Sequence, residues 1–86
     1  MSEARHAVIL LTRAGCGMCT VALEQLRGIC ADFGIEPQAR DVDEAAATDP
    51  ALRAEFGDRL PVVLLDGREH SYFDVDEVRL RADLSR

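Results

Sequence analysis

The sequence predicts an α/β fold in the order β-α-β-α-β-β-α, with a four-stranded mixed sheet and helices on its faces. Three observations carry this. Residues 7–12 (AVILLT) and 62–65 (VVLL) are continuous apolar runs, as in strands covered on both faces. Between them apolar residues recur at helical spacing. The pair Asp66-Gly67 closes the second run with the turn chemistry of a tight hairpin.

The elements follow in chain order. The first strand occupies residues 7–12. From Gly17 onward Ala22, Leu23, Leu26, Ile29, Cys30 and Phe33 fall on one face of a helix, which Gly34 is placed to stop. Residues 35–43 (IEPQARDVD) form a more polar second strand; Pro37 inside it suits a sheet edge, because proline cannot donate to a ladder. Asp49 can cap a short helix that opens at Pro50 and ends at Gly57. The third strand runs from Leu60 and Pro61 to the Asp66-Gly67 turn, and REHSYF returns antiparallel with His70 facing solvent. The last helix is read with Asp74 as N-cap and Glu77 completing a capping box. Phe73 and Val78 stand where a hydrophobic staple would form. The first two strands are parallel, joined by a crossover, and the hairpin completes the sheet.

Composition limits the function classes. At 86 residues the chain is read as a single domain, 1–86, with a modest core. Its 48% hydrophobic and 30% charged residues suit a soluble globular protein, and no apolar run approaches the ~20 residues of a membrane span. A net charge of -6 argues against nucleic acid, which needs a basic stripe. The first segment, MSEARHAVILLT, has too short an apolar stretch for a secretory leader, so the cytoplasm is expected. Three cysteines, an odd number, do not make a secreted disulfide framework. Nothing in the pattern demands a dimer, and a monomer is expected.

The chemistry concentrates at Cys16-Gly17-Met18-Cys19, at the junction of a buried strand and a helix. Backbone N–H groups are unpaired in a first helical turn and the helix dipole is positive there, so a thiolate at Cys16 would be stabilised. Cys19, one turn on, is within reach of a disulfide. Arg13 adds a positive charge nearby. A lone C-x-x-C also serves as half of a zinc site, but Cys30 lies eleven residues past Cys19 on the same helix, roughly 16 Å along its axis. His6 and His70 have no motif spacing. Inert burial is the third reading of the pair; the flanking Gly15 and Gly17 favour an exposed turn instead. Cys30, on the apolar face, is read as core packing, and residues 41–44 as a solvated acidic loop without a ligand.

Strand, C-x-x-C, helix and a proline opening the third strand together resemble the thioredoxin-fold superfamily. With no additional N-terminal strand and helix, the chain is most similar to glutaredoxin-like small bacterial proteins, over about residues 7 to 84. The resemblance implies that Cys16 attacks a disulfide and Cys19 resolves the mixed disulfide. It implies further that Pro61, after Leu60, is the cis-proline beside the site, although proline opening a strand is trans by default. Arg13 takes the place of the basic residue before the first cysteine. The chain departs from glutaredoxins in having Gly17-Met18 for their Pro-Tyr, and Ser71-Tyr72 for the Gly-Gly pair that holds glutathione. Asp74 and the last helix N-terminus remain as a place for an anion.

The expected activity is dithiol–disulfide exchange, with Cys16 and Cys19 catalytic and Arg13, Leu60, Pro61, Tyr72 and Asp74 binding substrate. Met18 and Tyr72 are read as apolar walls of the groove. No tightly bound cofactor or metal is expected. The electron donor is glutathione, another low-molecular-weight thiol or a reductase; the substrate is a disulfide-containing protein or small thiol. Neither nucleic acid nor membrane is expected as a partner. The alternatives are a thioredoxin-fold binding module without turnover, marked by the missing Gly-Gly, and a metal or iron–sulfur carrier.

Overall fold

A computed structural model describes residues 6–86; the reading of residues 1–5 as part of a leaderless N-terminus lies outside them. The elements are β1 (Val8–Thr12), α1 (Gly17–Ala31), β2 (Gln38–Asp41), α2 (Val42–Ala45), α3 (Pro50–Phe56), β3 (Val62–Leu65), β4 (Arg68–Tyr72) and α4 (Glu77–Leu84). The sheet order is β2-β1-β3-β4. β1 runs parallel to β2, with Ile9 opposite Gln38, and antiparallel to β3, with Leu10 opposite Val63. β3 and β4 form the antiparallel hairpin. β2 is an edge strand as expected, and Pro37 sits immediately before it, where its missing N–H costs the ladder nothing.

Period-two alternation splits the apolar strands between two layers. Val8, Leu10 and Val63 face one side of the sheet and join Leu26, Ile29 and Cys30 of α1 and Leu80 and Leu84 of α4. Leu11, Val62 and Leu64 face the other side, with Val42 of α2 and the partly buried Leu52, Phe56 and Leu60. This is why residues 8–11 and 62–65 are apolar without a break: each strand has a hydrophobic layer above and below it. Leu10, Leu11, Leu26 and Leu80 are fully buried, and each such side chain contributes about 1.5–3 kcal/mol.

The hairpin turn matches its sequence. Asp66 (φ 54°) and Gly67 (φ 85°) both take left-handed backbone, the conformation that a two-residue turn of matching twist requires. The Asp66 carboxylate accepts the Ala7 N–H at 2.8 Å and lies 2.6 Å from His6 Nδ1, tying the chain start to the turn.

Four expectations need correction. A short extra helix, α2, lies between β2 and α3. The acidic stretch 41–44 is therefore structured: Asp41 caps α2 through the amides of Asp43 and Glu44, which satisfies donors that a loop would leave to water.

The last helix starts two residues later than expected. Asp76, not Asp74, is its N-cap, accepting the Arg79 N–H at 3.2 Å. The staple positions then fall to Val75 and Leu80, both buried in the α1–α4 layer, while Phe73 and Val78 are 49% and 83% exposed. The Asp76 start wins because it turns Val75, Leu80 and Leu84 into the core together.

His70 does not face solvent. The β3–β4 register jumps from Val63–Ser71 to Leu64–Glu69, leaving His70 as the extra residue of a bulge. Its ring is buried, with Nε2 2.8 Å from the Asp83 carboxylate on α4. Its carbonyl, freed from the ladder, accepts from the Arg79 guanidinium.

Candidate active site

The Arg13–Cys16 loop leaves β1 at the end of the sheet where β3 begins, because Leu11 pairs with Val62. Tyr72 closes β4 at the same end, opposite Val62. The topology thus gathers Arg13, Cys16, Leu60, Pro61 and Tyr72 around one edge of the molecule. Gly15 bends the loop with φ 80°, a conformation open to glycine at no steric cost.

Cys16 is the N-cap of α1, with extended backbone, and its sulfur accepts the Cys19 N–H at 3.1 Å. A sulfur here occupies the place usually filled by a serine or aspartate oxygen. Cys16 and Cys19 form a disulfide, their Cα atoms 5.2 Å apart. The two sulfurs are not equivalent: Cys19 is a buried residue of α1 at 4% exposure, whereas Cys16 is half-buried. An incoming reagent meets Cys16 first. Cys30 is fully buried on α1, and burial pushes its thiol up from the ordinary value, with Glu36 adding to the shift. Among the described residues no three His, Cys, Asp or Glu side chains converge as a metal-binding group.

Arg13 is held by a carboxylate. Its Nε and Nη2 donate to the two Asp43 oxygens at 2.8 and 3.2 Å, and Nη1 donates to the Gly57 carbonyl at 3.4 Å. Arg53 also reaches Asp43, at 3.3 Å. The hydrogen bond from Arg13, supported by Arg53, keeps the Asp43 carboxyl below its ordinary range, and Asp43 in turn raises Arg13. Arg13, together with Gly15, Cys16, Thr20 and Leu23, lines a cleft of about 500 Å³. Its charge therefore belongs to a fixed Arg13–Asp43–Arg53 cluster at the rim of the disulfide.

The Leu60-Pro61 bond is cis, as the resemblance implied. Pro61 is fully buried, and its carbonyl accepts the Phe73 N–H at 2.8 Å. Leu60 is partly buried against the Leu11–Val42 layer.

Among the described residues Met18 and Tyr72 line different clefts, both bordered by Asp74. Met18 of α1 faces Phe73 across a cleft of about 260 Å³, lined also by Val21, Ala22, Gln25 and Asp74. Tyr72 lies on the other side, in a shallower cleft of about 570 Å³ with Ser71, Asp74, Asp76 and Arg79. Phe73 and Tyr72 meet edge to face, centroids 5.1 Å apart. Met18, Val21, Tyr72 and Phe73 are each about half or more exposed, an apolar surface beside the disulfide.

Phe73 does not pack as a helix staple and instead borders the Met18 cleft. Its φ of 66° is left-handed, a conformation costing an ordinary L-residue roughly 1–2 kcal/mol. Asp74 is exposed, and the helix N-terminus expected to lie beside it belongs to Asp76, whose carboxylate already holds the first-turn amide of Arg79.

Comparison with known proteins agrees with this geometry. Residues 7–85 match the family described as Glutaredoxin-like domain (DUF836). An uncharacterized protein of Mycobacterium tuberculosis (strain H37Rv) is 61% identical over 83 residues, covering 95% of this chain and 86% of that protein. A Mycobacterium bovis protein matches equally. Among solved structures, a Nitrosomonas europaea protein determined by solution NMR superposes with a TM-score of 0.80 at 20% identity, covering 98% of this chain and 96% of that one. A Fasciola hepatica thioredoxin superposes with a TM-score of 0.61 at 22% identity, over 95% of this chain and 80% of its own. These likenesses are of fold. With its four-stranded mixed sheet, its Cys16–Cys19 pair at a helix start and its family match over nearly the whole length, the chain belongs to the glutaredoxin-like family of thioredoxin-fold proteins.

Proposed function

We propose that this protein is a dithiol–disulfide oxidoreductase. The observation that carries the reading is the unequal cysteine pair: Cys16 capping α1 and accessible, Cys19 bonded to it and buried. In the reduced protein the free amides at the helix start favour the Cys16 thiolate. That thiolate attacks a substrate disulfide sulfur, giving a mixed disulfide and releasing one substrate thiolate. Cys19, as thiolate, then attacks the Cys16 sulfur, expelling the second substrate thiolate and leaving the Cys16–Cys19 disulfide. Two electrons pass from the dithiol to the substrate. A low-molecular-weight thiol such as glutathione, or a reductase, restores the dithiol. Leu60, Pro61, Tyr72 and Asp74 frame the bound substrate, and Arg13 places positive charge at the rim. The protein acts as a cytoplasmic monomer without a tightly bound cofactor.

The test is a pair of variants in a disulfide-reduction assay. Cys16→Ser abolishes reduction and forms no mixed disulfide. Cys19→Ser accumulates mixed disulfide at Cys16, seen by intact-mass measurement. If Cys19→Ser is unreactive while Cys16→Ser traps substrate, the roles are reversed.

A further inference from the structure

We propose that the site selects a protein disulfide whose cysteine is flanked by an apolar residue and by arginine or lysine. This rests on the oxidoreductase reading above and names its substrate class.

The cleft between Met18, Val21 and Phe73 holds about 260 Å³, below the roughly 300–1,000 Å³ of pockets that enclose whole small molecules. It accepts a side chain. Its walls are mostly apolar and open to solvent, at 57% exposure for Met18 and 67% for Val21, and surfaces of this kind mark interaction sites. Phe73 is fixed against the cleft in left-handed backbone, with its N–H on the Pro61 carbonyl at 2.8 Å. Strained backbone of this sort gathers at functional sites.

The charge around the cleft defines the rest of the partner. Asp74 borders both this cleft and the shallower one beside Tyr72. Neighbouring carboxylates are occupied: Glu69 receives two N–H groups of Arg59, and Asp76 receives the Arg79 guanidinium. Asp74 has no ion-pair partner among the described residues, and it is exposed. A cationic side chain entering beside the apolar one finds this carboxylate free. An anionic disulfide such as glutathione disulfide meets it as a like charge, and the net charge of -6 acts in the same direction at long range.

The exchange is the balanced one above: the Cys16 thiolate forms a bond to the flanked cysteine's sulfur, the substrate S–S bond breaks, and Cys19 completes the two-electron transfer.

Three disulfides decide it: a peptide disulfide with leucine and arginine flanking the cysteine, its counterpart with glutamate at both positions, and glutathione disulfide. Each is mixed with the pre-reduced protein at low salt, and second-order rate constants are measured. The apolar–basic peptide reacts roughly five- to tenfold faster than either of the others, and added salt shrinks the ratio. Asp74→Asn removes the charge part of the preference and Phe73→Asn the apolar part. Asparagine is chosen because it tolerates left-handed backbone; Met18→Ser, at an exposed position, is the second apolar variant. Equal rates for the three disulfides, or a preference untouched by Asp74→Asn and by both apolar variants, overturn the specificity and leave the oxidoreductase reading standing. No reduction of any of the three overturns both.

Discussion

The backbone N–H of Cys19 points at the sulfur of Cys16, 3.1 Å away, so the first cysteine of the motif caps the helix that contains the second. That relationship makes the two thiols chemically different in the reduced protein. One is partly accessible at the helix start; the other is buried. At neutral pH, limiting iodoacetamide should modify Cys16 at least about tenfold faster than Cys19 and Cys30, as thiolate fraction and access both favour it. Peptide mapping by mass spectrometry reads the ratio. Equal labelling of Cys16 and Cys19 would count against the assignment.

The N-cap of α4 offers a test by paired substitution. Asp76→Ala removes the acceptor of the Arg79 amide and should cost about 1 kcal/mol of folding stability. Asp74→Ala, two residues earlier and outside the helix, should leave stability within about 0.5 kcal/mol. Urea unfolding of the two variants distinguishes them. The reverse order would restore the Asp74 cap.

The staple on the same helix predicts a second contrast. Leu80 is fully buried and Val78 is 83% exposed. Leu80→Ala should therefore destabilise by about 2–5 kcal/mol, and Val78→Ala by no more than about 0.5 kcal/mol. Comparable losses at both positions would mean that the helix sits in a different rotation.

The His6–Asp66 tie predicts a pH dependence. The Asp66 hydrogen bond raises His6 above its ordinary 6.5, so the folded protein binds that proton more tightly than the unfolded chain. Its contribution is complete below about pH 6.5 and is lost as pH rises through the folded value. The Ala7 amide, then His6, holds Asp66 below its ordinary 3.8, so that contribution is present above about pH 3.8 and is lost as pH falls through the folded value. The tie is thus strongest between these limits. The melting temperature of the wild type should exceed that of His6→Gln most near pH 5–6 and by less toward pH 9. A difference independent of pH would show that the tie carries no proton linkage.

Much of this fold is legible in the sequence because burial is written there. The runs at residues 7–11 and 62–65 are apolar at every position because hydrophobic layers cover both faces of β1 and β3. Asp66-Gly67 announces its turn because few residues adopt left-handed backbone at two successive positions. The cysteine pair is legible for the same local reason: a helix start, a spacing of one turn and flanking glycines. The misses have a common cause. Asp74 and Asp76 both satisfy the pattern of a cap, and only the packing of Val75, Leu80 and Leu84 decides between them. His70 stands in a polar strand, and its burial depends on a bulge in pairing with β3 and on Asp83, thirteen residues away. Arg13 was visible as a charge near the site, but its attachment to Asp43 needs α2, four residues too short to show a period.

In the proposed reaction Cys16 and Cys19 cycle between dithiol and disulfide. The direct measurement is the reduction potential of the pair, by equilibration against a thiol redox buffer and quantification of the two forms by alkylation and mass. A value of roughly -200 to -270 mV, the range of recycling oxidoreductases, is the predicted result. A disulfide that resists reduction below about -300 mV, as structural bridges do, or a pair that never oxidises, would rule out that cycle.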